Sequence, residues 1–389
     1  MRGHVAQRKQ PLPMPLGNLE AYMYQIERAI FDIRRGLPVV ISSGEQRLLV
    51  QALEGSRSVD TLAQLAGARP ALVLTRHRLE AMGMSLSAEA ACLPLAEHIG
   101  ERELHQLAVA DAGKKPSALL SGLKPAGVAE RGAVALMRRA LLIPAALTAL
   151  VSEDARHDID KHIAQGRLLE VNADDAHKCL AGAPGMLKRV SEANIPLEDA
   201  PNSRFVLFRE PDGLREHVAV VIGQLDDVQG PVPLRMHSAC LTGDLFGSLR
   251  CDCGEQLRNA VADIQAMGGG VLLYLAQEGR GIGLANKLRA YTLQDSGLDT
   301  VDADQVLGFG DDERQYAVAV DMLNALSIDQ VQLLTNNPLK MSALKEGGIE
   351  VVSRQALYGS VTDHNHRYLS AKASRAGHFL DEVLESRSR

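Results

Sequence analysis

Apolar positions recur at helical spacing from Gln25 to Arg35, where Ile26, Ala29, Ile30 and Ile33 share one face. Gly36 closes that helix, and the uncharged run from Leu37 through Ile41 predicts a buried strand. From 20 to about 195 the chain is rich in Ala and Leu and reads as alternating helices and short strands. Within that stretch, Gly132 to Val151 predicts a helix interrupted at Pro144. The segment 194–204, with two prolines among polar neighbours, has the composition of a linker.

Beyond it the pattern changes. Phe205–Phe208 and Val218–Gly223 predict strands joined by the turn Arg209-Glu-Pro-Asp-Gly213. Gly270–Gln277 reads as another strand, followed by the loop Glu278-Gly-Arg-Gly-Ile-Gly283 and a helix from about Leu284 to Ser296. Val331–Thr335 is a short apolar strand that ends at Asn336-Asn337-Pro338 and leads into a helix near Met341–Gly347. Ile349–Val352 predicts one more strand. Strands interleaved with helices predict a mixed α/β (α+β) fold. At 389 residues the chain is long enough for two domains.

Composition narrows the function classes. The chain is 46% hydrophobic and 23% charged, ordinary for a soluble protein. It has no Trp and only 3% aromatic residues, so a stacking platform for nucleic acid is not expected. A net charge of −6 gives no general affinity for polyanions, and any nucleotide must be held by a local pocket. The five cysteines form no even, regular framework, which argues against a disulfide scaffold. Residues 1–19 are basic and proline-rich, and the expectation is a disordered tail without the apolar core of a signal peptide. No apolar run reaches the length of a membrane span, so a cytoplasmic protein without a membrane partner is expected.

The densest chemistry lies in Cys240-x10-Cys251-Asp252-Cys253. Thiolates are strong zinc ligands, and three protein ligands leave a tetrahedral ion with one position open for catalysis. Two other readings of the spacing are a closed structural zinc with His237 or a remote residue as fourth ligand, and three buried free thiols. Arg235-Met236-His237-Ser238 runs directly up to this segment, and a guanidinium fork suits phosphate. In Gln277-Glu-Gly-Arg-Gly-Ile-Gly283, glycines between strand and helix let backbone approach an anion. No Lys-Ser/Thr follows, so it is no P-loop. Glu278 and Arg280 flank Gly279, a pairing able to read a guanine edge. In Asp311-Asp312-Glu313-Arg314 a carboxylate can act as base beside a cation for phosphate, or the run can simply start a helix. Thr335 to Lys340 sits at a strand end, the usual place for ligand contacts in such folds.

Together the segments 235–257, 274–303, 307–316 and 333–341 resemble GTP cyclohydrolase II, over roughly 204–385. The resemblance implies a zinc- and magnesium-dependent opening of the guanine imidazole ring of GTP, the first step of riboflavin biosynthesis. Formate and pyrophosphate would leave, giving 2,5-diamino-6-ribosylamino-4(3H)-pyrimidinone 5′-phosphate. It implies Cys240, Cys251 and Cys253 as zinc ligands. It implies GTP contacts from Arg235, Met236, His237, Ser238, Ala239, Gln256, Glu278, Gly279, Arg280, Thr300, Thr335 and Lys340. Asp312 matches the proton acceptor, Arg314 the group at the α-phosphate, and Tyr291 a tyrosine near the ring chemistry. A guanidinium stays protonated in proteins, so electrostatic stabilisation by Arg314 is the physically sound role. A homodimer is implied as well.

Two positions depart from the family pattern. Ala239 stands where a glutamate is usual, with Glu255 a candidate replacement acid, and Leu339 replaces a usual basic residue. Another purine nucleotide as substrate, or GTP binding without turnover, are the readings these departures leave open. The first half, 20–195, more weakly resembles 3,4-dihydroxy-2-butanone-4-phosphate synthase through 26–41, 74–84 and 126–147. Its chemistry is missing: the acidic metal loop reads Ser42-Ser-Gly-Glu-Gln-Arg-Leu-Leu49, and the later Gly-His-Thr-Glu reads Gly127-Val-Ala-Glu130. A degenerate, non-catalytic domain is expected there.

Overall fold

Two seven-stranded sheets organise the described residues of the computed structural model. These residues are 18–380 apart from 56–58, 98, 111–119, 182–184, 367–368, 371–372, 374, 376 and 378. The expected tail therefore lies almost wholly outside them, and Asn18 already opens the helix Asn18–Arg34.

From edge to edge, the first sheet consists of Lys124–Pro125, Ala90–Pro94, Ala71–Thr75, Ala145–Leu150, Gln46–Ala52, Val39–Ser43 and Glu170–Asn172. Only the pairing of Val39–Ser43 with Glu170–Asn172 is parallel. Successive side chains go to opposite faces and both faces are buried, which explains the nearly unbroken apolar runs. Val40, Leu49, Leu72, Leu74 and Leu147 pack one way. Val39, Ile41, Val50, Val73 and Ala146 pack the other way, under Ile26, Ile30 and Ile33 of the first helix.

One expectation fails here. Gly132–Val151 is not a helix broken at Pro144: the helix is Val128–Arg139, and Ala145–Leu150 is a strand near the centre of the sheet. Leu141 takes a left-handed φ of 59°, and Pro144 disfavours helix for the residue before it. Ala-Ala-Leu-Thr-Ala-Leu then fills both buried faces between two neighbouring strands, and this packing overrides its helical composition.

The second sheet runs Glu350–Gln355, Gln330–Leu334, Val232–Ser238, Gly270–Leu275, Glu216–Ile222, Ser203–Arg209 and Lys188–Asn194. Its first four strands are mutually parallel and the rest antiparallel. The helix Cys253–Ala266 covers one face through Ala260 and Ile264, and the helix Ala317–Ala325 covers the other through Ala319, Met322 and Leu323. The segment 194–204 is not an interdomain linker. Lys188–Asn194 pairs with Ser203–Arg209, and a Leu197–Ala200 bridge closes the connection. The second sheet thus begins at Lys188, ahead of the expected boundary. That first strand is exposed at every position, so no apolar alternation announces it.

A buried ion cluster joins the two sheets. Arg139 of the helix Val128–Arg139 contacts both Glu210 and Asp212 on the turn that follows Ser203–Arg209. Glu210 also accepts from His217 at 3.0 Å, and His217 Nδ1 accepts the Ala276 N–H at 3.0 Å. Burial alone would raise the Glu210 carboxyl, but His217, Arg139 and Arg215 pull it down to about 2.

Candidate active site

Parallel strands bring their carboxyl ends to one edge, where ligands of open α/β sheets bind. Here Cys240 follows Val232–Ser238, the glycine loop follows Gly270–Leu275, and Thr335–Asn337 follows Gln330–Leu334.

Cys240, Cys251 and Cys253 converge there, their sulfurs within 4.8 Å of one another. Cys240 Sγ is 3.6 Å from Cys251 Sγ. The cradle depends on Gly243, where a Cβ would lie 2.7 Å from Cys251 Sγ and 3.1 Å from Cys240 Sγ. Lys287 donates to Cys240 Sγ at 3.1 Å and to Glu278 at 2.7 Å. Hydrogen bonds with Cys251 and Cys253, then the Lys287 charge, push the Cys240 thiol far down. The same contact with Cys240 pushes Cys251 up to about 11. Three converging sulfurs with an ammonium beside them make a donor set that suits zinc.

His237 is not the fourth member of the cluster. Its Nε2 meets Asp244 at 3.0 Å, and its ring stacks on Tyr274, whose hydroxyl donates to Asp244 at 2.9 Å. Asp244 also accepts the Cys240 N–H at 2.9 Å. Histidine and tyrosine thus fix the carboxylate that orients the first thiol. Among the described residues, the group that could hold a metal ion is Cys240, Cys251 and Cys253.

The glycine loop turns sharply. Gly279, Arg280 and Gly281 have φ of 61°, 58° and 97°, and for Arg280 this left-handed conformation is strained. Arg280 is held there by Asp304 at 2.7 Å and by the Asp311 carbonyl at 3.1 Å. Burial raises the Asp304 carboxyl to about 7, with Arg280 opposing. Glu278 accepts the Leu241 N–H at 2.7 Å, so its carboxylate links the loop to the cysteine segment. Across the cavity Arg314 forks Asp312, with Nε at 2.8 Å and a terminal nitrogen at 2.5 Å. Asp311–Arg314 is therefore an irregular loop rather than a helix start.

On the remaining wall, buried Arg235 donates to the Leu334 carbonyl at 3.0 Å and to Gln256 at 2.6 Å. Burial pulls its guanidinium down to about 10. Lys340 donates to the Met236 carbonyl at 2.6 Å, and Thr335 Oγ1 accepts the Asn337 N–H at 3.0 Å. Arg235 Nε, Ser238 Oγ and Asn337 Nδ2 are buried without a protein partner, and such atoms call for a polar ligand.

These walls enclose a cavity of about 390 Å³. Of the residues expected in the site, Arg235, His237, Ser238, Ala239, Gln256, Glu278, Gly279, Arg280, Thr300, Thr335, Lys340, Tyr291, Asp312, Arg314 and the three cysteines line it. Met236 does not: its side chain is fully buried in the core of the second sheet, and only its carbonyl serves the site, through Lys340. Glu255 is no substitute acid for Ala239, because its carboxylate binds Ser360 at 2.7 Å, away from the cavity. Sequence reasoning missed Lys287 and Asp304. Lys287 lies one turn into the helix Leu284–Asp295, within reach of the loop before it, and that proximity was its only signal. Asp304 carries none, since an acid inside a helix reads as surface.

A cavity with cations on one wall and metal-capable thiols on another, in a mixed α/β fold, has the groups that an enzyme acting on a charged small molecule needs. The family model described as GTP cyclohydrolase II matches residues 188–356. A GTP cyclohydrolase-2 of Azospirillum brasilense is 43% identical over 371 residues, covering 93% of this chain and 95% of its own. A GTP cyclohydrolase-2 of Xylella fastidiosa (strain Temecula1) is 41% identical over 373 residues, covering 95% and 90%. The chain belongs to the GTP cyclohydrolase II family of hydrolases, and the likeness extends through the first domain. A Thermotoga maritima protein named riboflavin biosynthesis protein RibBA is 50% identical over 199 residues, 51% of this chain and 50% of that one. No helix among the described residues is long and apolar enough to cross a membrane.

Proposed function

We propose that this cavity binds GTP and opens the imidazole ring of its guanine by hydrolysis, the first step of riboflavin biosynthesis. Formate and pyrophosphate leave, and 2,5-diamino-6-ribosylamino-4(3H)-pyrimidinone 5′-phosphate remains. The observation that carries this reading is the convergence of three thiols on the cavity that also holds the Asp312–Arg314 pair. Cys240, Cys251 and Cys253 would hold one zinc ion, which when bound supplies Lewis acidity toward water and the ring carbon. Lys287 and Asp244 orient Cys240 for that task.

The chain's own groups account for the rest. Arg235 and Lys340 offer buried positive charge for the triphosphate, which brings its own magnesium. Arg314 can pass from Asp312 to a phosphate oxygen. Asp312 then loses the contact that keeps it ionised, and in a buried setting its basicity rises. Phosphate binding thus readies a proton acceptor in the cavity that Tyr291 also lines. Ser238, Gln256, Gly279, Thr300 and Thr335 complete the walls around the nucleotide.

The first domain lacks the acids and histidine of the synthase it resembles, and we take it as non-catalytic. A cytoplasmic homodimer completes the proposal, on the family resemblance. Mass-spectrometric product analysis of zinc-loaded protein with GTP and magnesium tests the reading. Formate, pyrophosphate and the diaminopyrimidine phosphate together are expected; intact GTP bound tightly would favour a protein that binds without turnover.

A further inference from the structure

The first domain reaches the catalytic loop of the second through a few specific contacts. Arg138 places Nε at 3.1 Å and a terminal nitrogen at 2.5 Å from Glu313 Oε2. The Glu313 side chain is only 9% exposed against 31% for Arg138, so the carboxylate end of the pair is largely screened from water. The other Glu313 oxygen accepts the Gly310 N–H at 2.8 Å, and the Glu313 N–H donates to the Arg280 carbonyl at 3.0 Å. Glu313 lies between Asp312 and Arg314 in sequence, and a shift of its backbone moves both.

The segment ahead of that loop is tied to the same domain. Thr75 Oγ1 donates to the Gly308 carbonyl at 2.7 Å. Arg78, only 2% exposed, donates to the Val306 carbonyl at 2.9 Å and to the Leu107 carbonyl of its own domain at 2.7 Å. Residues 306–313 are therefore held at three points by a domain that contributes no expected catalytic group.

We propose that the first domain is a positioning element for ring opening, and that Arg138 is its principal positioning residue, acting through Glu313 on the Asp312–Arg314 pair. This rests on the functional reading above. A paired, largely desolvated glutamate fixes the loop more tightly than a solvated one. Displacement of reacting groups by even about 1 Å lowers rate far more than affinity. The first domain then has a use that needs neither a metal loop nor a sugar phosphate.

The test compares formate release from GTP by the full-length, zinc-loaded wild type, Arg138→Ala, Arg138→Lys, Glu313→Gln and the double variant R138A/E313Q. Arg47→Ala serves as control, because among the described residues Arg47 pairs with Asp160 and Glu170, both inside the first domain. Arg138→Ala should lower kcat roughly tenfold while KM moves less than about twofold. Arg138→Lys should recover part of the loss, since it keeps the charge without the fork. The double variant should lose little more than either single one, as expected for residues that act as a unit. Arg47→Ala should leave kcat unchanged. Wild-type kcat in a folded Arg138→Ala protein would overturn the inference, and so would an equal loss in Arg47→Ala. No formate from the wild type would overturn the functional reading, and this inference with it.

Discussion

Arg314 clasps both carboxylate oxygens of Asp312, with Nε at 2.8 Å from one and a terminal nitrogen at 2.5 Å from the other. Burial alone would raise the Asp312 carboxyl, and this clasp is what brings it below the ordinary range. The pair is therefore ionised at neutral pH, and each member is held until an anion competes for Arg314.

Arg314→Gln removes that counter-charge and leaves burial unopposed. The acid limb of the pH–rate profile should move to higher pH, with kcat down by about 10²-fold or more. Stability should follow the same sign. A depressed carboxyl stabilises the fold above its unfolded pKa and loses that contribution as pH falls through the folded value. Arg314→Gln should flatten this acid-side loss in urea titrations; an unchanged slope would show that the clasp contributes nothing.

Cys251→Ser should leave the sheets intact by circular dichroism yet abolish ring opening and stoichiometric zinc. Gly243→Ala should reach the same end by a different route, because its Cβ would lie 2.7 Å from Cys251 Sγ. Metal content after gel filtration checks both: full zinc occupancy in Cys251→Ser would refute the thiol assignment, and in Gly243→Ala it would show that the cradle tolerates a side chain there.

The Arg139–Glu210–Asp212 cluster joins the two sheets, and Glu210 sits at about 2. Arg139→Ala takes the shared cation from two buried carboxylates, leaving Glu210 with His217 and Arg215, and should destabilise the protein by about 3 kcal/mol. The wild-type stabilisation from Glu210 is complete above the ordinary carboxylate pKa and fades as pH falls toward 2. Urea unfolding at pH 7 and pH 3 reads both effects; the variant's deficit should shrink at the lower pH.

Gly281→Ala tests the contact between the two loops. Gly281 has a φ of 97°, and a Cβ there would meet the Glu313 carbonyl carbon at 2.7 Å. Turnover should fall roughly 10²-fold while the protein stays folded, through displacement of Asp312 and Arg314. A fully active variant would mean that the loops tolerate separation.

Much of this was legible in the chain, and the parts that were not share a cause. The cysteine spacing, the glycine loop and the Asn336-Asn337-Pro338 turn are local signals, and each sits at a strand end as its pattern implied. Ala145–Leu150 misled because Ala and Leu favour helix, while its place between two strands is decided by residues far away in sequence. Lys188–Asn194 was invisible because an exposed edge strand needs no apolar alternation. Met236 belongs to the core because strand alternation turns it from the face that carries Arg235 and His237. Arg138 gave no signal, since its ion pair with Glu313 joins segments far apart in sequence, and Lys287 gave only its closeness to the glycine loop.

If this cavity opens the guanine ring, C8 must leave the nucleotide as formate. Carbon-13 NMR of GTP labelled at C8, incubated with zinc-loaded protein and magnesium, tests it most directly. The label should leave the purine and appear as free formate, at a rate that disappears in Cys251→Ser. Label retained in the ring by fully zinc-loaded, GTP-bound wild type would contradict it.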